Sequence, residues 1–288
     1  MRLVTYDTGR GPRAGALRGE GIVDVFEALG GEPPGVPGVR ALLEGGLVDE
    51  AEVAVSEAEA EPIEPEKARL LPPVPDPDKL IGIGLNYRSH AEEAGLDPPK
   101  TPTFFAKFRN ALAATGDEVA LPTSSEKVDY EAEVAFVVGR RARDVPEEEA
   151  LAHVAGYTLL NDLSARDLQF ATPQWMPGKV FDGSAPCGPA LVTPDEAGRP
   201  DAIEIELILN GKTMQKASTA DLIHSIPALL AHLSRLMTLE PGDLVFNGTP
   251  AGVGSVRRPR VWLKPGDELV VSSPQLGRLE TRIARPYG

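Results

Sequence analysis

The stretch Asp129-Tyr130-Glu131-Ala132-Glu133-Val134-Ala135-Phe136-Val137-Val138-Gly139 constrains this chain more than any other. Its second half is a short Val- and Phe-rich run closed by glycine, the pattern of a strand. Side chains alternate along a strand, so Glu131 and Glu133 leave it on the same side. Two neighbouring carboxylates resist ionising together unless a cation lies between them. A second apolar run, Gly156-Tyr157-Thr158-Leu159-Leu160-Asn161-Asp162, ends in an acid that completes a three-oxygen site. Carboxylates without histidine or cysteine suit a hard ion: Mg²⁺, Mn²⁺ or Ca²⁺. A bare Glu-x-Glu pair is also common on open sheet faces, so residues elsewhere in the chain must decide.

The 288 residues suffice for one large domain or two smaller ones, with a substantial core. A formal net charge of −14 argues against nucleic acid and anionic membrane as partners, yet leaves room for a locally positive pocket. Cys187 is the single cysteine, so no intramolecular disulfide forms, which fits a reducing compartment. Met1 to Asp7 form no apolar signal region, and no run is long and apolar enough to span a membrane. A cytoplasmic protein is expected.

Short strands are predicted at Met1 to Asp7 and Gly21 to Val25, then a Gly/Pro-rich loop over 31–38 and a short helix from Val39 to Gly46. Leu71-Pro72-Pro73-Val74-Pro75-Asp76-Pro77-Asp78 reads as a stiff linker, dividing the chain into a small N-terminal domain, 1–72, and a larger domain, 73–288. Lys79 to Gly84 reads as a buried strand. Asn86 to Gly95 reads as a short helix on which His90 and Glu93, three apart, face each other. A carboxylate beside an imidazole raises its basicity, as a general base requires. The glycines around this polar helix suit a mobile lid.

Thr103 to Phe108 reads as a strand carrying Lys107, and Pro146 to His153 as a helix. Asp162 to Gln169 continues as a helical turn or two, with Arg166 and Gln169 three apart on the side reached from Asp162; arginine grips a carboxylate with two bonds. Lys179 lies in a Gly-bounded segment read as a strand, from where its ammonium can hold an oxyanion. A hairpin turns at Asn210-Gly211, and Thr219 to Met237 is mainly helical. The strand Gly242 to Asn247 leads into Gly248-Thr249-Pro250-Ala251-Gly252-Val253-Gly254, whose backbone N–H groups are offered to an anion. Two further strands, Glu268 to Ser272 and Leu279 to Arg285, close the chain. Lys107 and Thr249 are assigned to substrate binding with Arg166 and Gln169.

Gly84-Leu85-Asn86-Tyr87 with His90 and Glu93, the acidic strand, Asn161 to Gln169, Gly178-Lys179, and Asn247 to Gly254 occur in one order. From about Lys79 to the end, this succession resembles the fumarylacetoacetate hydrolase family, in its three-carboxylate branch. The resemblance implies a β-rich α+β fold: a mixed β-sandwich roll preceded by the small N-terminal domain, in a homodimer. It implies Mg²⁺ or Mn²⁺ on Glu131, Glu133 and Asp162, water activated by His90 and Glu93, Lys179 as a catalytic lysine, and substrate contacts from Arg166 and Gln169. The expected function is divalent-metal-dependent hydrolysis of a C–C bond in a small anionic 2,4-dioxo acid, an acylpyruvate or fumarylpyruvate. The same site would also serve 2-hydroxyhepta-2,4-diene-1,7-dioate isomerisation or oxaloacetate decarboxylation. A non-enzymatic metal-binding module is the expectation of another class.

Overall fold

The computed structural model describes residues 1–31 and 38–286. Strands β1 (Arg2–Asp7), β2 (Arg13–Arg18) and β3 (Gly21–Asp24) open the chain, followed by helices α1 (Val25–Ala28), α2 (Val39–Gly45) and α3 (Val48–Glu57). Most of the expected Gly/Pro-rich loop lies outside the described residues. After β4 (Arg69–Leu71) come β5 (Leu80–Gly84), α4 (Arg88–Ala94), β6 (Thr103–Lys107), β7 (Leu112–Ala113), β8 (Glu118–Ala120), β9 (Val128–Asp129) and β10 (Ala132–Val138). Next are β11 (Val154–Asn161), β12 (Ser164–Ala165), α5 (Arg166–Gln169), β13 (Ala185–Val192), α6 (Pro194–Ala197), and the hairpin β14 (Glu204–Leu209) and β15 (Lys212–Ser218). The chain ends with α7 (Ile226–Leu236), β16 (Leu244–Phe246), β17 (Glu268–Ser273) and β18 (Gly277–Ala284).

An eleven-stranded mixed sheet runs β3-β2-β1-β13-β11-β10-β16-β5-β6, with β4 beside β1 and β7 beside β13. A five-stranded sheet, β15-β14-β17-β18-β8, packs against it. The apolar run of β10 explains this layering, because both of its faces are covered. Val134 and Phe136 share a core with Ile205 and Leu207 of β14 and with Leu269 and Val271 of β17. Ala135 and Val137 face the other way, into a core with Phe26 of α1, Leu42 of α2 and Val55 of α3. The sheet runs across the expected boundary at Pro72: β1 pairs antiparallel with β13, Leu3 opposite Leu191. Cys187 is buried in this second core, and burial pushes its thiol up to about 12.

Three local expectations are corrected. Glu147–His153 is a 3-10 helix, its first turn filled by three glutamates. The Thr219 to Met237 segment makes a 3-10 turn, Thr219–Asp221, before α7 begins at Ile226, where the Ser225 hydroxyl accepts from the Ala228 N–H. Lys179 is not in a strand but in a turn that follows the 3-10 helix Met176–Gly178. A Cβ at Gly178 would stand 2.5 Å from the Ala165 carbonyl oxygen, so glycine here lets that turn lie against β12.

Candidate active site

The register of β10 and β11 brings the three acids together. The strands are antiparallel, with Glu133 opposite Leu160 and Ala132 opposite Asn161. One step beyond, the Asp162 N–H donates to the Glu131 carbonyl at 2.8 Å. Alternation puts Glu131, Glu133 and Asp162 on one side. One carboxylate oxygen from each lies within 4.8 Å of the others, and all three residues are buried.

Three cations surround them. Lys179 Nζ donates to Glu131 Oε2 at 2.7 Å, Asp162 Oδ2 at 2.6 Å and Ser164 Oγ at 2.6 Å, and lies 5.0 Å over the Phe105 ring. Lys107 Nζ donates to Asp162 Oδ1 at 2.6 Å and to the Ser184 carbonyl at 2.8 Å. Arg166 donates from Nε to Asp129 Oδ2 at 2.9 Å and from Nη1 to Gln169 Oε1 at 2.9 Å, with Nη2 in ion-pair contact with Glu131 at 2.7 Å.

Burial disfavours charge on every one of these groups, and the neighbours decide the outcome. Glu131 is desolvated, yet Arg166 and Lys179 more than offset this and hold it well below the usual carboxylate range. Glu133 has no such partner. Burial, and then the charges of Asp162 and Glu131, push it well above that range. Burial lowers Lys107 against the pull of Asp162, whereas the carboxylates raise Lys179 despite its burial.

The donor set fits a hard divalent cation. Three carboxylate oxygens converge, and Glu133 cannot ionise freely without added positive charge. The Gly248 N–H donates to Glu133 Oε2 at 2.6 Å, which fixes that carboxylate.

A cavity of about 480 Å³ opens over this cluster. Glu131, Glu133, Arg166, Gln169, Lys179, Thr249 and His90 all line it. Lys107 does not: its ammonium is fully buried against Asp162. Arg166, expected to grip a substrate carboxylate, grips Asp129 and Glu131 instead. The Gln169 amide nitrogen has no protein acceptor among the described residues. Thr249 Oγ1 donates to the Ala132 carbonyl at 3.0 Å and accepts from Gln215 at 2.8 Å.

His90 Nδ1 stands 3.6 Å from Glu93 Oε2 on α4, whose end is closed by Gly95 in the left-handed conformation. Both Glu93 oxygens accept from the Gly252 N–H, at 3.1 and 3.0 Å. Despite burial, the neighbouring His90 imidazole and the bonds from the Gly252 N–H hold Glu93 below its ordinary value. The Gly-rich loop therefore spends its N–H groups on protein carboxylates rather than on a ligand. Gly254 and Ser255 donate to Asp129, at 2.7 and 3.0 Å.

Asp129 escaped sequence reasoning as a site residue. It is fully buried and joins Arg166 to the loop. Its signal was present, in an acid directly preceding the Tyr-Glu-Ala-Glu motif at the start of an apolar strand.

Residues 79–284 match the family Fumarylacetoacetate (FAA) hydrolase C-terminal. Over 98% of its length the chain is 37% identical to a mitochondrial oxaloacetate tautomerase of Bos taurus, FAHD2A, covering 91% of that protein. It is 30% identical to a maleylpyruvate hydrolase from Sphingobium sp. SYK-6, solved in complex with manganese (II) ion and pyruvate, with a TM-score of 0.82 and 100% of both chains covered. It is 29% identical to a 5-carboxymethyl-2-hydroxymuconate delta-isomerase from Mycobacterium smegmatis, with a TM-score of 0.79 and 100% of both chains covered.

Proposed function

The chain belongs to the fumarylacetoacetate hydrolase family, a family of enzymes, and we propose that it binds a divalent cation and interconverts the keto and enol forms of a small 2-oxo acid of the oxaloacetate type. The observation that carries this reading is the convergence of Glu131, Glu133 and Asp162 at the cavity that His90 also lines. Keto–enol exchange needs nothing more than such a site. It needs stabilisation of an enolate and one group to move a proton.

Charge balance supports an anionic substrate. Four buried carboxylates, Asp129, Glu131, Glu133 and Asp162, face three cations, Lys107, Arg166 and Lys179. With every group ionised the cluster is one charge negative; a divalent cation makes it one charge positive, matched by one substrate carboxylate. The cation, Mg²⁺ or Mn²⁺ held by Glu131, Glu133 and Asp162, supplies positive charge where the enolate develops. His90 takes the proton from the carbon beside the keto group and returns it to the enolate oxygen, so that one proton moves from carbon to oxygen and the base is regenerated. Glu93 supplies a carboxylate 3.6 Å from the imidazole Nδ1. Gln169 directs its free amide toward the substrate, and Thr249 fixes the cavity wall. The tautomerase of Bos taurus, similar over nearly the whole chain, supports the same chemistry.

Hydrolysis of a C–C bond in a 2,4-dioxo acid is the second reading. The His90–Glu93 pair favours it, as does the likeness to the maleylpyruvate hydrolase. It requires Lys179 to exchange one carboxylate bond for the oxyanion. Oxaloacetate decarboxylation and dienoic dicarboxylate isomerisation use the same enolate. A homodimer completes the proposal, with apolar surface supplied by Phe104 of the edge strand β6 and by Phe108 just after it.

The test is a panel of oxaloacetate, acylpyruvates and dienoic dicarboxylates, each with Mg²⁺ and with EDTA. Metal-dependent enol–keto exchange faster than any cleavage supports the first reading. Cleavage of acylpyruvates without exchange selects the second.

A further inference from the structure

The cavity carries charge besides its acidic cluster. Four Lys or Arg side chains line it: Lys127, Arg166, Lys179 and Arg260. Arg166 and Lys179 are spent on buried carboxylates. Lys127 and Arg260 are exposed, and neither makes a side-chain hydrogen bond or ion pair among the described residues.

The backbone holds these two residues near each other. The Lys127 carbonyl accepts from the Arg166 N–H at 3.0 Å, and the next residue, Val128, accepts from the Leu263 N–H at 2.9 Å. The Val261 N–H donates to the Gly254 carbonyl at 3.0 Å. The segment carrying Arg260 thus runs alongside the one carrying Lys127, and both stems are fixed while both charged heads are free. Besides Glu131 and Glu133 one acid, Asp167, lines the cavity, and its oxygens already accept from Ser125 Oγ and from the Glu126 and Leu168 N–H groups. Trp175, Phe170 and Trp262 wall the same cavity, an apolar surface for a carbon chain.

On a chain of net charge −14, two uncommitted cations in the one cavity that opens over the acidic cluster point to an anionic ligand group. We propose that Lys127 and Arg260 are the residues that read the second carboxylate of the oxaloacetate-type acid, whose 2-oxo acid end lies at the acidic cluster. This deepens the proposed function and rests on it.

The experiment measures binding, not turnover. Mg²⁺-loaded enzyme is titrated by calorimetry with three inert probes: the diacids 2-oxoglutarate and 2-oxoadipate, and the monoacid 2-oxopentanoate. Wild type should bind at least one diacid roughly tenfold or more tighter than the monoacid, the scale of one charge-assisted contact. R260Q and K127Q should each erode that preference, the double variant should abolish it, and R260K should keep part of it. Monoacid affinity should not change in any of them. Both side chains are exposed, so the variants should melt with wild type. If monoacid and diacids bind equally to wild type, or if the variants weaken all three alike, the subsite is refuted while the proposed function stands. If no 2-oxo acid binds with Mg²⁺, the proposed function falls and the subsite with it.

Discussion

Lys179 Nζ lies 2.6 Å from Asp162 Oδ2, so a lysine occupies the coordination space of an acid proposed to hold the metal ion. Lysine and divalent cation then compete for the same charge. Lys179→Met should raise Mg²⁺ affinity by about tenfold or more, since a unit charge at this range is worth more than 1 kcal/mol at intermediate effective dielectric. Asp162 keeps Lys107 and Glu131 keeps Arg166, so the variant should still fold. Unchanged or weaker binding, by calorimetry, would show that the two do not compete.

Glu133 provides a pH signature. In the ion-free protein, burial and the neighbouring acids keep it protonated well above the usual carboxylate range. Cation binding should therefore release protons over the range where Glu133 is protonated, and affinity should fall as the pH falls. Its folded-state pKa is raised, so the native state binds more protons than the unfolded chain, and the ion-free protein should lose stability as the pH rises. Calorimetry in buffers of different ionisation enthalpy measures the release. Glu133→Gln should remove it and weaken Mg²⁺ binding. A wild-type titration with no proton release contradicts the assignment of Glu133.

His90 should be separable from the metal. His90→Ala should lower kcat for enol–keto exchange by roughly 10²- to 10⁴-fold, the range for loss of a positioned acid–base group. Mg²⁺ affinity should hardly move, because no atom of His90 belongs to the triad. A full rate without His90 would assign the proton transfer elsewhere.

Asp129 is a stability residue. Its carboxylate accepts from Arg166 Nε and from the N–H groups of Tyr130, Gly254 and Ser255. Asp129→Asn leaves the Arg166 guanidinium buried with half its counter-charge. A loss of about 3–5 kcal/mol in denaturant unfolding is expected, as for a broken buried pair. A loss under about 1 kcal/mol would place Asp129 among exposed pairs.

The triad was legible because it follows from local rules: alternation on β10, and an acid at the end of β11. The mixed sheet architecture also follows from strand patterns that the structure reproduces at β5, β10 and the β14–β15 hairpin. Its counter-charges were not legible. Lys107 and Asp162 are 55 residues apart, and nothing near Lys107 in sequence says that its ammonium is buried. The Gly-rich loop was correctly read as a set of N–H donors, but their acceptors, Asp129, Glu133 and Glu93, come from other elements. The Pro-rich run at 71–78 reads as a linker because stiffness is local. The pairing of β1 with β13 that carries the sheet past it joins residues about two thirds of the chain apart.

The most direct test follows the decay of enol-oxaloacetate by stopped-flow absorbance. Wild type and Glu133→Gln are each measured with Mg²⁺ and after EDTA treatment. Wild type should accelerate the decay with Mg²⁺, lose that acceleration with EDTA, and resemble the EDTA-treated enzyme when Glu133 is replaced. Equal acceleration in all four arms would contradict a metal-dependent enolate site on Glu131, Glu133 and Asp162.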